Sequence, residues 1–415
     1  MAGYSEIRQG LSSLEKLERE LNLKHLQVNR LLNITQAINN NLSARGLFDM
    51  YRSFLDWEIG VKKMALYIRR QETWECATSI GIDAELLRLD VSERLPGFTR
   101  LHNLDDPDHP LLDQFDVVIP VLHKEQAIAY VFIGGFHEHE DMYEKVQFIT
   151  TITNVIAVAI ENKRLFKRQL VQERLSKEVE LASEVQRMLI PKVLPSKEAY
   201  ELASIYKPQL GVGGDYFDFI EFENGKIVFC VGDVSGKGMA AALLMANFQA
   251  NFHTLIRKQA ALDEFIRDLN HSVNIITGGE RFITFFIAEY DIRERRLNYV
   301  NAGHNPPVLV VDGELHLLTK GCTILGSFRQ LPEVEIGTLQ LEGEALVLSY
   351  TDGLTDMQDQ DGEFLNEQML YEFARQEYRR SASSFNQLLM ERIERFRGEQ
   401  GYPDDFTVLT CKVAP

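Results

Sequence analysis

Four short acidic segments in the C-terminal half of the sequence hold the side chains best suited to chemistry. They read GGDYFD at 213–218, GDVSGKG at 232–238, YTDGLTD at 350–356 and PDDFT at 403–407. A single aspartate in a turn usually caps its own backbone. Four such clusters in one region, without histidine or cysteine companions, favour a hard-cation site with oxygen ligands, for which Mg²⁺ and Mn²⁺ are the candidates.

The segment around Asp233 is the centre of this pattern. An apolar run at 227–231 predicts a buried strand, and residues 239–252, rich in Ala, Leu and Met, predict a helix. The sequence therefore places Asp233 where a strand ends, in a turn that contains three glycines. These glycines raise the alternative of a phosphate-cradling loop, but the spacing of a P-loop is missing. Two cations that share one aspartate can grip a phosphate and activate a water molecule near neutral pH.

The elements that must position these clusters predict a layered α+β domain over residues 192–415. Strands are expected at 226–231, 282–290, 296–301, 307–311, 345–349 and 406–413, and helices at 239–257, 262–277, 367–374 and 384–397. Because strands and helices come in separate blocks, this architecture is favoured over alternating βαβ units.

A long helix is predicted near the start of the sequence, over residues 5–42. Its apolar residues alternate at spacings of three and four: Ile7, Leu14, Leu17, Leu21, Val28, Leu31, Ile38 and Leu42. A seam sustained over this length favours a coiled coil, and hence a homodimer with residues 1–45 as the dimerisation segment. The alternative is a single amphipathic helix that packs on its own domain.

Residues 46–162 combine helical and strand patterns. We expect helices at 47–57 and from 140, strands at 63–70, 73–80, 116–120 and 127–136, a turn at 123–126 and a polar loop at 103–110. This order resembles a GAF sensory domain, an α/β fold, which implies an unidentified ligand or signalling partner. Five scattered histidines raise the alternative of a metal or haem site, but we expect exposed loop positions for them: His102, His109, His123, His137 and His139.

The closing helix of this region is predicted to continue as a linker over residues 163–191. Pro191 and Pro195 then stop it. A continuous helix between two domains transmits rotations or register shifts better than a flexible segment. The predicted order is therefore dimerisation helix, sensor, linker and catalytic domain.

Composition and charge narrow the class of protein. The 415 residues are 45% hydrophobic and 25% charged, as in a soluble globular chain of two or three domains. A net charge of −17 argues against nucleic acid or an anionic membrane as a partner. The four cysteines lack zinc spacing, and we expect reduced, mostly buried thiols in a cytoplasmic protein. The sequence shows no signal peptide and no apolar run long enough to span a bilayer.

Five motifs in a fixed order make the C-terminal region recognisable. GGDYFD, GDVSGKG, NAGHNPP, YTDGLTD and DDFTVL resemble the motifs of the PPM-type metal-dependent serine/threonine phosphatases. The resemblance is strongest to the bacterial SpoIIE/RsbU-like branch, whose entry helix is similar to ELASEVQRML at 180–189, and it covers about residues 170–415. It implies a β-sandwich flanked by helices, with two Mn²⁺ or Mg²⁺ ions at one end of the sandwich.

The resemblance also implies the ligands of these ions. Asp233 would bridge both of them. Asp215 and the backbone carbonyl of Val234 would bind one ion, and Asp352 and Asp404 would bind the other. The clustering of acidic residues agrees with this set independently.

Other residues of the motifs have weaker implied roles. Three further aspartates are weaker candidates for metal ligands and are about equally expected to be turn caps or supporting groups: Asp218, Asp356 and Asp405. His304 in NAGHNPP is expected to be a structural turn residue. The sequence also departs from the eukaryotic pattern, because Ser235 stands where a proposed general acid is a histidine, and residues 206–210 lack the phosphate-holding arginine. Lys207 and Lys237 are the substitutes that the sequence offers.

The implied function is hydrolysis of phosphoserine or phosphothreonine on a protein by a metal-activated water, so no side chain is assigned as the nucleophile. The resemblance further implies a STAS-type anti-sigma-factor antagonist as the substrate. One alternative is an inactive phosphatase fold that serves as a scaffold, with the sensor as the functional part. Another starts from GGDYF, which superficially resembles the GGDEF loop of diguanylate cyclases, but the downstream acidic clusters have no place in that scheme.

Overall fold

The two halves of the chain form separate units in the structure, which is a computed structural model. It describes residues 2–70, 73–104, 108–123, 126–135, 142–209 and 211–415. The units are Met1–Gln172 and Glu173–Pro415. Among the described residues, none of the helices combines the length and the apolar character that crossing a membrane requires.

The N-terminal unit begins with the predicted long helix, α1 (Ala2–Asn39). A second helix, α2 (Ala44–Phe54), starts where the Ser43 hydroxyl accepts a hydrogen bond from the Gly46 amide, and a π-helical turn (Leu55–Ile59) follows. Much of the seam of α1 is more than half exposed: Leu14, Leu17, Leu21 and Val28. The helix is confirmed, and the coiled coil stays a prediction.

One antiparallel sheet forms the centre of this unit. Its strands are β1 (Lys63–Arg70), β2 (Thr73–Ile80), β3 (His102–Asn103), β4 (Val117–His123) and β5 (Gln126–Gly134). They pair in the order β2-β1-β5-β4-β3. The strands predicted at 63–70 and 73–80 have these bounds. Parts of the predicted loop, turn and closing segment lie outside the described residues, and so do His137 and His139.

Alternating side chains of β5 serve two separate cores. Val131 and Ile133 face α2 and a third helix, α3 (Met142–Arg187), whereas Tyr130 and Phe132 face the segment that leads into β4. That segment holds three short 3₁₀ turns: Leu86–Arg88, Leu95–Gly97 and Leu112–Gln114. The identity of this unit as a GAF domain stays a prediction. The continuous helix into the linker is confirmed, since α3 runs unbroken to Arg187.

Two sheets form the C-terminal unit. The strands of the first sheet are β7 (Tyr216–Glu221), β8 (Lys226–Val234), β9 (Ile283–Asp291), β10 (Arg296–Ala302), β13 (Gly321–Cys322) and β14 (Gly337–Gln340). Those of the second are β6 (Tyr200–Lys207), β11 (Val308–Val311), β12 (Glu314–Leu317), β15 (Ala345–Tyr350) and β16 (Phe406–Val413). The strands of the first sheet pair in the order β13-β10-β9-β8-β7, with β14 also on β10, and those of the second in the order β12-β11-β15-β16-β6.

Helices cover the outer faces of both sheets. They are α4 (Met239–Ile256), α5 (Leu262–Thr277), α6 (Asp352–Thr355), α7 (Glu367–Glu377) and α8 (Ala382–Arg397). One core joins the two sheets to each other and to α4 and α5, and another joins the second sheet to α7 and α8. The α+β sandwich flanked by helices is therefore confirmed.

Aromatic packing fixes α4 against the first sheet. The Phe248 ring lies 5.0 Å from that of Phe285 on β9 and 5.7 Å from that of Tyr216 on β7, in both cases edge to face. Such pairs contribute about 0.5–1.5 kcal/mol each beyond the area they bury. Because α4 begins five residues after Val234, this packing also anchors the loop that follows β8.

The structure corrects one local prediction. Asp233 was expected in a turn after the strand, but β8 continues through Val234, and Asp233 pairs with Thr284 on β9. Ladder hydrogen bonds with β9 outweigh the low strand preference of Gly232 and Asp233. The turn begins only at Ser235, and Gly236 and Gly238 adopt positive φ there. β6 and β7 were not predicted as strands, because polar and acidic residues interrupt their apolar pattern.

Candidate metal centre

Adjacent strands of the first sheet bring Asp215 and Asp233 together. Asp215 immediately precedes β7, whose first residue, Tyr216, pairs with Gly232 on β8. Asp233 is the next residue of β8 and is half-buried, whereas Asp215 is 1% exposed. The two carboxylates therefore lie at the same end of the sheet.

The second sheet delivers another pair of aspartates. Asp352 is the first residue of α6, directly after β15, and Asp404 lies two residues before β16. These two strands are antiparallel neighbours, and the Thr351 amide donates a hydrogen bond to the Thr407 carbonyl at this end. The negative charges of Asp352 and Asp404 both act on Asp233. Four of the predicted metal ligands therefore share one neighbourhood at one end of the sandwich.

The Val234 carbonyl faces the same neighbourhood. A Cβ atom on Gly214 would lie 2.8 Å from the Val234 oxygen and 3.4 Å from Oδ1 of Asp233. A side chain at residue 214 would therefore occupy the space that these two oxygens border. Glycine at residue 214 therefore lets the backbone before Asp215 approach these two oxygens closely.

Two threonines join the sheets at Asp215, and the sequence analysis missed them. The hydroxyls of Thr351 and Thr407 donate hydrogen bonds of 2.8 and 2.7 Å to Oδ2 of Asp215. All three residues are buried. With one oxygen of Asp215 held in this way, the other is left for a cation. The sequence could have indicated this role, because each of the two threonines adjoins acidic residues of a motif.

Asp405 positions the loop before Asp215. Its Oδ1 accepts a 2.6 Å hydrogen bond from the Gln209 amide, and its Oδ2 accepts a 2.9 Å bond from the Gly214 amide. Both oxygens are therefore engaged by backbone. The prediction that left Asp405 as either a ligand or a supporting group resolves in favour of support.

Gln186 is a second supporting group that the sequence analysis did not single out. Its amide nitrogen donates a 2.6 Å hydrogen bond to the Gly213 carbonyl, and its amide oxygen accepts a 3.0 Å bond from the Gly213 amide. The side chain is 6% exposed and lies in the last turn of α3. The linker helix is thus bonded to the backbone two residues before Asp215.

Asp218 and His304 stand apart from the four aspartates, whereas the charge of Asp356 acts on Asp352 and raises its pKa. Asp218 is buried and accepts hydrogen bonds from the Tyr216 hydroxyl and the His253 ring, so it belongs to a separate network. Asp356 is exposed, and its amide bonds the Asp352 carbonyl at the end of α6. His304 is a structural residue of its turn.

The turn around His304 is closed by its own hydrogen bonds. The Asn301 amide group donates to the carbonyls of His304 and Leu318, and its oxygen accepts from the His304 amide at 2.8 Å. Nδ1 of His304 lies 2.9 Å from the Thr284 hydroxyl. Burial lowers the pKa of His304 to about 4, partly offset by the Tyr350 carbonyl. The imidazole is therefore neutral near pH 7.

The carboxylates raise one another's pKa. Burial, together with the charges of Asp352, Asp404 and Asp405, raises the pKa of Asp233 to about 7. Burial and the charge of Asp233 raise the pKa of Asp215 well above its usual value, against the two threonine hydroxyls. Partial burial and the neighbouring acids raise the pKa of Asp352 as well. Crowded acids of this kind are stabilised as carboxylates by a bound cation.

One cationic side chain contacts the carboxylates, and a second holds the loop that follows Val234. Nζ of Lys237 lies 2.7 Å from Oδ2 of Asp404. The Arg281 guanidinium donates a 2.9 Å hydrogen bond to the Ser235 carbonyl, beside Gly236. The Ser235 hydroxyl accepts a bond from the Phe282 amide, which closes the same loop. Lys207 instead acts on Glu394, away from the aspartates.

The donor set fits a hard divalent cation. It consists of carboxylate and carbonyl oxygens, without a histidine or cysteine among them, and these are the ligands that Mg²⁺ and Mn²⁺ prefer. Within the described part of the chain, no three His, Cys, Asp or Glu side chains are already grouped as ligands of one ion. The expectation of exposed loop positions for the histidines is only partly correct, because His102 lies in β3 and His123 ends β4, whereas His109 lies between strands.

Comparison with known proteins finds one matching family model and relatives of this chain. Residues 223–414 match the family model described as Stage II sporulation protein E (SpoIIE). The phosphoserine phosphatase RsbU of Bacillus subtilis is 24% identical over 275 residues, which cover 66% of this chain and 80% of RsbU. The phosphoserine phosphatase RsbP of the same organism is 26% identical over 186 residues, or 43% of this chain and 45% of RsbP.

A solved structure supports the fold. The SiaA-PP2C domain of Pseudomonas aeruginosa superposes with a TM-score of 0.52 at 19% identity, covering 58% of this chain and 97% of that domain. The two sheets and their outer helices therefore have the fold of a PP2C domain.

Replacement of Gln186 tests its bonds to Gly213. In Gln186→Leu the side chain keeps its approximate volume, but two buried backbone groups lose their partners, so we expect the C-terminal unit to lose about 2–4 kcal/mol of unfolding free energy. Chemical denaturation measures this loss. The exposed Glu184→Gln on the same helix is the matched control, and equal stability of the two variants would contradict the structural role of Gln186.

Burial of neutral His304 predicts a pH-dependent stability. The unfolded chain binds a proton below about pH 6.5, whereas the folded chain does so only below about pH 4, so stability falls as the pH falls through this window. In His304→Gln, the stability difference from wild type should shrink by about 2 kcal/mol between pH 8 and pH 5. Denaturation at both pH values measures it. The exposed His271→Gln should show no such change, and a pH-independent difference for His304→Gln would refute the assignment.

Proposed function

We propose that this chain, which belongs through its C-terminal unit to the SpoIIE-type PPM phosphatases, is a metal-dependent protein serine/threonine phosphatase. The observation that carries the proposal is the meeting of Asp215, Asp233, Asp352 and Asp404 from two sheets at one end of the sandwich. The relatives RsbU and RsbP, named as phosphoserine phosphatases, support the same chemistry.

The proposed ligand roles are those that the family resemblance implies. Asp233 would bridge two Mn²⁺ or Mg²⁺ ions, which is supported by the effect of its charge on Asp215 and by the effects of Asp352 and Asp404 on it. Asp215 and the Val234 carbonyl would hold one ion, and Asp352 with Asp404 the other. When bound, such ions supply an activated water as nucleophile and neutralise the charge of the phosphate. The chain itself contributes no covalent nucleophile in this scheme.

Lys237 and Arg281 are the residues that we assign to the phosphate. Lys237 contacts Asp404, and Arg281 is bonded to the loop after Val234. A phosphate ester that approaches the aspartates meets these two charges, and Arg281 can present a guanidinium fork to two phosphate oxygens. They take the place of the arginine that residues 206–210 lack.

The substrate that we propose is phosphoserine or phosphothreonine on a protein, specifically a STAS-type anti-sigma-factor antagonist. The match to RsbU over 66% of this chain supports a related substrate. Asp215 is buried, but Asp233 and Asp404 are partly exposed and Asp352 is exposed, so a phosphorylated loop of another protein can reach this end of the sandwich.

The N-terminal unit is proposed to be a GAF-like sensor that regulates the phosphatase through α3. The support is the continuity of this helix as far as Gln186, whose side chain bonds the Gly213 backbone. A change in the position of α3 would alter these bonds and the loop that carries Asp215. The domains would then be 1–45, 46–162, 163–191 and 192–415.

A homodimer through α1 is also part of the proposal. Four apolar residues of its seam are more than half exposed along one stretch of the helix: Leu14, Leu17, Leu21 and Val28. Pairing with a second copy would remove this apolar surface from water.

Deletion of the first 25 residues tests the dimer. The full chain should scatter light with twice the mass of one chain, and the mass should fall towards that of one chain after the deletion. Leu21→Glu should weaken the dimer as well, because it places a charge in the seam, whereas the exposed Glu18→Gln should not. A monomeric full-length chain would refute the coiled coil.

The function itself is tested by metal-dependent hydrolysis. Wild type with Mn²⁺ should hydrolyse p-nitrophenyl phosphate and a phosphoserine peptide, and EDTA should abolish both activities. Asp352→Asn should lose about 100-fold or more, because it removes a ligand oxygen and its charge. The exposed Asp361→Asn on the loop after α6 should retain full activity.

A binding measurement separates the enzyme from the alternative of an inactive scaffold. Calorimetric titration of wild type should detect Mn²⁺ binding, which Asp352→Asn weakens and Asp361→Asn does not. Hydrolysis that persists in EDTA, or in Asp352→Asn, would overturn the site. A chain that neither binds Mn²⁺ nor hydrolyses either substrate would favour the scaffold.

A further inference from the structure

A cavity in the N-terminal unit has the form of a small-molecule site. Its volume is about 520 Å³, within the usual range of ligand pockets, which is about 300–1,000 Å³. α2, β1, β5 and α3 enclose it. Its inner wall is apolar and includes Phe48, Leu66, Ile68, Ile128, Ile156 and Ile160.

The two polar residues of the inner wall already use their hydroxyl groups in hydrogen bonds to each other and to the backbone. The Tyr51 hydroxyl and the Thr153 hydroxyl bond each other at 2.5 Å, and Thr153 also donates to the Ile149 carbonyl. Both residues are buried. This wall therefore suits hydrocarbon or an aromatic ring, and disfavours a sugar or another polar group.

The remaining lining of the cavity is strongly cationic. Five basic residues and one acidic residue line it: Arg69, Arg70, Lys163, Arg164, Lys167 and Glu161. The whole chain carries a net charge of −17, so this local excess of positive charge runs against its composition. It favours a negatively charged group on the occupant.

Arg164 has an unused hydrogen-bond donor at this position. Its two terminal nitrogens donate to Oε1 of Glu161 at 2.8 Å and to the Arg69 carbonyl at 3.4 Å. Its Nε is buried without a hydrogen-bond partner. A buried donor on a charged group is costly to leave unpaired. An acceptor on a bound molecule would satisfy it.

We propose that this cavity binds a small amphipathic monoanion, with an apolar body against the inner wall and a carboxylate at Arg164. A straight-chain fatty acid of medium length has this chemistry. The apolar wall selects the body, and the guanidinium selects the head group. The site is independent of the phosphatase chemistry at the other unit.

Calorimetric titration of the full-length chain with decanoate tests the proposal. We expect one molecule per chain with a dissociation constant of about 10–100 µM, as befits a ligand of this size. 1-Decanol, which shares the body but lacks the charge, should bind at least about tenfold more weakly, because it forgoes the charge-assisted bond to Arg164. Inorganic phosphate alone should give no heat of binding.

Two variants and their matched controls locate the site. Arg164→Gln should weaken decanoate about tenfold or more, whereas Arg168→Gln, an exposed arginine of α3 outside the cavity, should not. Ala157→Phe should fill the cavity and abolish binding, whereas Ala159→Phe, on the same helix but outside this cavity, should leave it. Thermal unfolding of each variant confirms that it is folded.

The outcomes decide the proposal in either direction. Selective loss in Arg164→Gln and Ala157→Phe supports it. Equal binding of decanoate and 1-decanol, unchanged affinity in folded Arg164→Gln or Ala157→Phe, or the absence of decanoate binding up to 1 mM would overturn it.

Discussion

Mutual repulsion among crowded aspartates is the constraint on which the C-terminal unit depends. Each carboxylate at the end of the sandwich raises the pKa of its neighbours, and Lys237 is the cation in direct contact with them among the described residues. Such an arrangement opposes folding unless something else holds the strands in place. The continuous apolar core between the two sheets does so, since β16 is buried along its whole length. The core thus maintains an unfavourable charge cluster that a divalent cation would relieve.

Four residues outside the proposed ligand set hold Asp215 and the backbone before it in place. Thr351 and Thr407 engage one oxygen of Asp215, and Asp405 and Gln186 hold the backbone on its N-terminal side. All four residues are buried, and their hydrogen bonds fix both the distance and the direction of the groups that they hold. Because hydrogen bonds tolerate displacements of only a few tenths of an ångström, this set fixes Asp215 more narrowly than its strand alone would.

The roles of Asp215, Asp233, Asp352 and Asp404 as metal ligands stay predictions. Sequence reasoning predicted the sandwich and its main strands and helices correctly, because apolar periodicity and motif order are local properties of the chain. It missed β6 and β7, and it placed Asp233 outside β8, since ladder pairing with β9 depends on residues fifty positions away. It also missed the role of Gln186, whose partner lies 27 residues further along. Contacts of this kind are set by tertiary packing, which no local pattern encodes.

The position of Gln186 at the end of α3 makes the site sensitive to that helix. A shift of α3 by one residue would move Gln186 by about 1.5 Å along the helix axis. Neither the 2.6 Å nor the 3.0 Å bond to Gly213 survives a movement of that size. The response of the loop would therefore be abrupt rather than graded, because both bonds are made in one register and both are lost in the next. The proposed regulation through α3 would therefore act at Gln186, which holds the backbone two residues before Asp215.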